Sequence, residues 1–179
     1  MRPFDSHLWK EKAEERQRRS KTKLGKDEAE ERYKRDIKAI NSLRVVVEWC
    51  QARALTVDFS GSGGTFDPET KEICVSARAL PDNQLYMLLH EVGHYLIDVC
   101  GSSRSKTSKG YTTNETDKSI HYKVDLIDEE YDAWERGRKL ALRLNLKIDE
   151  KRFNDYKVRS IKTYFHWAVD KDNTYDIDE

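Results

Sequence analysis

Apolar residues recur at helical spacing through much of this chain. From Asp27 to about Ala54, the positions Tyr33, Ile37, Ile40, Leu43 or Arg44, Val47, and Cys50 or Gln51 approximate a stripe and predict a long first helix. Leu55–Ser60 reads as a strand, and Gly61-Ser62-Gly63-Gly64 as a turn or bulge. No GKS/T follows those glycines, so they are not a phosphate loop. Asp67–Lys71 is a second turn, fitting a hairpin into a strand over Glu72–Ala77. Pro81-Asp82 then opens a helix on which Leu85, Leu88, Leu89, Val92, Leu96 and Val99 share one face. A further helix is predicted over Asp128–Leu146, with Glu130, Ala133, Trp134, Gly137, Leu140, Ala141 and Leu144 on one side. Arg152–Asp170 closes the pattern as an amphipathic helix with an aromatic face, Phe153, Tyr156, Ile161 and Tyr164 among its members.

The polar stretches divide the chain. Residues 1–26 carry interleaved charge without a sustained apolar stripe and predict a solvated, partly disordered arm. Residues 101–118 are Ser/Thr/Lys-rich and cannot pack as core; they form either a spacer or a lid. The acidic residues 171–179 predict a loose tail. Residues 27–179, with that polar loop and tail, are expected to be a single α+β domain in which a small antiparallel or mixed sheet packs on helices.

Lys+Arg and Asp+Glu are equal at 33 each, and this balance argues against a generally nucleic-acid-binding surface. A local exception is Arg16, Arg18, Arg19, Lys21 and Lys23 in the arm, which could contact nucleic acid or a protein partner in a salt-sensitive way. No apolar run is long enough to span a membrane. The opening MRPFDSHLWKEK lacks the apolar centre of a secretory signal, so a cytoplasmic protein is expected. Cys50, Cys74 and Cys100 each fall in an apolar context, as reduced, buried thiols would.

The chemistry concentrates in Leu85–Cys100. His90-Glu91-Val92-Gly93-His94 is an H-E-x-x-H pattern. Two histidines four apart on a helix stand one turn above each other, so both imidazoles reach one ion, and Glu91 falls where it could take a proton from water there. They point away from the apolar stripe, and Gly93 lets another segment come close. A catalytic zinc needs a third protein ligand. The metzincin pattern fails, because Ile97 and Cys100 stand where Gly and a third His belong. Glu130 is the better candidate, since a carboxylate inside an apolar face needs a compensating cation. Glu129 lies at the edge of that face and Glu135 looks outward. Glu130 has a plainer reading as a first-turn acid favoured by the helix dipole. His121 is an alternative third ligand, and Tyr122 or Tyr111 an alternative oxyanion donor.

The order of parts, with LLHEVGHYLI and then EYDAWERGRKLA, resembles the ImmA/IrrE-like zinc metallopeptidases over roughly residues 30–146, phage-encoded members most of all. That resemblance implies a zincin-like, gluzincin-type fold. It implies Zn²⁺ held by His90, His94 and Glu130, Glu91 as catalytic acid/base, and an intracellular protein such as a repressor as substrate. The long polar loop and the missing DNA-binding domain depart from the family's usual pattern. The strand around Ile73–Val75 could offer its edge to an extended peptide, making peptide bonds the natural substrate class. Glu72-Ile73-Cys74-Val75-Ser76 is similar to the metal-binding cysteine element of peptide deformylase, but its spacing to His90 is too short and the glycine-rich element is absent. A different class of reading is a binding module that keeps the metal as a structural tie and cleaves nothing.

Overall fold

The computed structural model describes residues 3–20, 25–100 and 120–169, with the side chain of His121 excepted. The loop at 101–118, Tyr111, Lys21, Lys23 and the tail at 171–179 lie outside the described residues. The architecture is α+β. Its elements are α1 (Ser6–Ser20), α2 (Lys26–Gln51), β1 (Thr56–Gly61), β2 (Thr65–Asp67), β3 (Glu72–Ser76), α3 (Pro81–Cys100), α4 (Ile120–Arg143) and α5 (Glu150–Val169). The chain divides into two compact units, Met1–Leu88 and Leu89–Glu179, and α3 contributes residues to each.

In the first unit, α2 buries Ala29, Ala39, Ile40, Leu43, Val46, Val47 and Cys50, while Tyr33 and Ile37 are only half-buried. The helix ends because Ala54 takes a left-handed φ of 58° and the Leu55 N–H donates back to the Cys50 carbonyl. The sheet is mixed, in the order β1-β3-β2. β1 runs parallel to β3, and β2 pairs antiparallel with it through the expected hairpin. Asp67 Oδ1 accepts the N–H groups of Glu69 and Thr70, and Lys71 supplies the positive φ of 56° that closes the turn. β3 is therefore paired on both sides. Among the described residues β1 and β2 are the outer strands of this sheet, so the expected peptide-aligning edge at Ile73–Val75 is already taken.

The N-terminal arm departs from expectation. Residues 6–20 form a helix against α2 rather than a frayed segment. Asp5 Oδ1 caps it by accepting from His7 and Leu8. Trp9 and Ala13, one turn apart, supply its buried face, and Trp9 meets Phe59 edge-on at 5.9 Å. One turn further, Arg16 reaches the buried Asp36 at 3.2 Å. A single large aromatic followed by a small residue and an ion pair docks the helix, which is why no periodic stripe announced it. Of the basic residues considered for nucleic acid, Arg16 pairs with Asp36 and Arg19 with Glu15.

In the second unit, α4 begins eight residues before the expected start at Asp128 and stops at Arg143, where Asn145 takes a φ of 54° and the Leu146 N–H returns to the Ala141 carbonyl. Asp149 caps α5 by accepting from the Arg152 N–H. α5 then packs on α4 through Phe153 against Trp134, with Lys157 donating to Glu135 at 2.6 Å. The thiols are not uniformly buried: Cys50 is, Cys74 is half-buried, and Cys100 is exposed. Cys100 sits in the final turn of α3, beside a Val99 that is itself 53 % exposed, so the apolar stripe stops short of the helix end. Among the described residues, no helix is long and apolar enough to cross a membrane.

Candidate metal centre

Two glycines create the site by letting α3 and α4 touch main chain to main chain. A β-carbon on Gly93 would stand 2.0 Å from the Ala133 carbonyl oxygen, and one on Gly137 would stand 2.2 Å from that of Leu89. Such separations are far inside van der Waals contact, so only glycine fits at either place. On α3 each contact residue is followed directly by a histidine, His90 after Leu89 and His94 after Gly93, and on α4 Glu130 stands one turn before Ala133. Arg136 adds a tie, donating to the Leu96 carbonyl at 2.8 Å and to Asp132 at 3.0 Å.

The crossing brings three donors together. Nε2 of His90 lies 3.1 Å from Glu130 Oε2, and Nε2 of His94 lies 3.3 Å from Glu130 Oε1. The two Nε2 atoms are 3.2 Å apart. A four-coordinate ion with bonds of about 2.0–2.1 Å holds its ligand atoms about 3.3 Å apart, so these spacings fit one small ion. His90 and Glu130 are nearly sealed, at 3 % and 5 % exposure, while the His94 side chain remains 18 % exposed. Glu130 stands ten residues into α4, not in its first turn, which removes the helix-dipole reading. The buried group His90, His94 and Glu130 could hold a metal ion.

Electrostatics agree with that arrangement. Burial would raise the Glu130 carboxyl, but the contacts from His90 and His94 overcome it and bring it down to about 2. Burial disfavours the charge on His94, yet Glu129 and Glu130 beside it, with Glu91, hold it well above the usual imidazole range. Glu91 is pushed up to about 7, first by burial and then by Glu130, with His94 opposing. The His90 ring is stacked on Trp134 at 4.3 Å and 18°, and Trp134 is backed by Phe153 and Tyr156.

No protein-family model matches the chain, no curated protein matches it, and no solved structure matches it.

Other candidates separate from this group. Tyr122 sits eight residues before Glu130, about 12 Å along the helix, and packs edge-on against Trp167 at 6.2 Å. Cys74 belongs to a second group of ligand-type atoms with Asp58 and Glu72 on β1 and β3. There Asp58 already accepts from the Ser60 hydroxyl at 2.5 Å. The sequence reading placed Trp134 on the right face without its stacking role, and it missed Arg136. A Trp four residues beyond an inward glutamate was the available signal for the first. Nothing local marked the second.

Proposed function

We propose that this protein is a zinc-dependent metallopeptidase with a zincin-like fold, similar to the ImmA/IrrE-like enzymes, acting on peptide bonds of an intracellular protein. The observation that carries this reading is the convergence of His90, His94 and Glu130 at 3.1–3.3 Å, with Glu91 buried next to His90 in sequence. Two imidazoles and a carboxylate are the donor set of a catalytic zinc with one position left open. Bound zinc supplies Lewis acidity there, polarising a carbonyl and acidifying water.

The chain's own residues do the rest. His90 and His94 present Nε2, and Glu130 neutralises part of the ion's charge from the neighbouring helix. Glu91 accepts the proton of the attacking water and delivers it to the leaving amine, one carboxyl serving first as general base and then as general acid. The near-complete burial of His90, Glu91 and Glu130 favours a second reading, a closed structural metal tie in a binding module.

Two measurements decide. Metal analysis should find about one zinc per wild-type chain and none in Glu130→Ala; a wild type without metal ends the proposal. Glu91→Gln should retain the metal and lose about 10²–10⁴-fold in peptide cleavage, the usual contribution of a general acid–base group. Comparing the proteomes of cells carrying wild-type and Glu91→Gln protein should reveal a substrate shortened only by the former. Equal substrate lengths in both would leave the binding module.

A further inference from the structure

The two histidines of the candidate centre are held in different ways. His90 is enclosed, its ring flat against Trp134, so packing restrains its plane. His94 lies at the mouth of the group with part of its ring in solvent, and its one ring contact inside the centre is edge-on to His90. A partly exposed imidazole has rotamers and two tautomers to choose from. Metal binding through Nε2 requires the proton to sit on Nδ1, so whatever faces Nδ1 decides how often His94 is ready.

What faces it is Glu129. Its Oε1 lies 3.7 Å from His94 Nδ1, while Oε1 of the next residue, Glu130, lies 3.3 Å from Nε2 of the same ring. Successive helical residues project about 100° apart, so a Glu-Glu doublet on α4 straddles one imidazole and addresses both its nitrogens. At 3.7 Å the Glu129 contact is an ion pair rather than a hydrogen bond. Glu129 is one-quarter exposed, which leaves its long side chain the freedom to close on an N–H.

We propose that Glu129 is a positioning residue for the metal centre, holding His94 with its proton on Nδ1 and its Nε2 lone pair turned toward the ion. This rests on the reading of His90, His94 and Glu130 as metal ligands. Further along α4, Asp132 is engaged with Arg136 and Glu135 with Lys157. Outer carboxylates of this kind raise the basicity of a ligand histidine, and losing one weakens metal affinity about 10–100-fold.

The test is the zinc dissociation constant by chelator competition for wild type, Glu129→Gln, Glu129→Ala and Glu129→Asp, with the metal-free thermal midpoint of each measured alongside. Expected are a loss of about 10–100-fold in affinity for Ala, a smaller loss for Gln, and partial recovery for Asp. Metal-free midpoints should stay close to wild type, which a merely structural role for Glu129 would not allow. Nitrogen-15 spectra of the zinc-loaded protein should show His94 in the Nδ1–H tautomer, with that signal broadened or mixed in Glu129→Ala. Wild-type affinity in both Gln and Ala would overturn the proposal while leaving the centre intact. Absence of zinc binding in wild type would instead overturn the centre itself, so the two failures are distinguishable.

Discussion

A carboxyl group enclosed next to another carboxylate resists ionisation, and Glu91 shows the effect in a form that can be measured. Its ordinary value near 4.5 becomes about 7 in the folded chain. A raised folded value means the unfolded state loses its proton first, so stability falls as pH climbs from 4.5 through 7. Glutamine has no such dependence. In metal-free protein, Glu91→Gln should therefore match wild type near pH 4 and exceed it above pH 7 by about 3 kcal/mol, the product of the shift and ~1.4 kcal/mol per unit. Denaturant titrations at several pH values check this, and a parallel offset at all pH values would refute it. Glu130 has the opposite sign. Its depressed value adds stability above 4.5 that disappears as pH falls toward 2. The thiols give a further contrast. Burial pushes Cys50 up to about 12, whereas Cys100 is exposed, so an alkylating reagent should modify Cys100 in the native protein and Cys50 only on unfolding.

At the scale of elements, the meeting of α3 and α4 is the most demanding feature. Gly137→Ala would drive a methyl into the Leu89 carbonyl, and the helices can relieve that only by separating. A loss of about 3 kcal/mol or more is expected in a thermal melt, at the upper end of overpacking effects, together with weakening of any metal binding at the centre. This close approach also explains what was legible beforehand. The spacing of His90 and His94 and the inward face of α4 were readable because both follow helical periodicity. Gly93 could be noted as permissive, but its partner Gly137 looked like an ordinary member of a stripe, since a sequence does not show which two glycines interlock. The start of α4 at Ile120 was missed although Ile120, Val124 and Ile127 stand at helical spacing; that short stripe is not core, Ile120 and Val124 being mostly exposed. The order of the sheet was equally hidden: strand signals do not state which strand lies in the middle.

For the molecule as a whole, the docked N-terminal helix changes what truncation should do. Trp9→Ala removes a buried aromatic that meets Phe59, and a loss of about 3–5 kcal/mol is typical of such a change. Limited proteolysis should then cut within residues 6–20, which wild type protects. If cleavage proceeds equally in both, α1 contributes nothing to the stability of its unit. Arg16 belongs to the same argument. Its removal leaves Asp36 buried without that guanidinium, so Arg16→Met should destabilise more than changing the exposed Arg18.

The interlocked glycines have one more implication, for anyone wishing to retune the centre. Where backbones already rest on each other, the gap between the histidine pair and α4 cannot be narrowed by remodelling side chains. Glu130→Asp withdraws the oxygen donors by one carbon–carbon bond, about 1.5 Å, and the scaffold has no slack with which to follow. Chemically the mildest of exchanges, it should empty the centre almost as thoroughly as alanine.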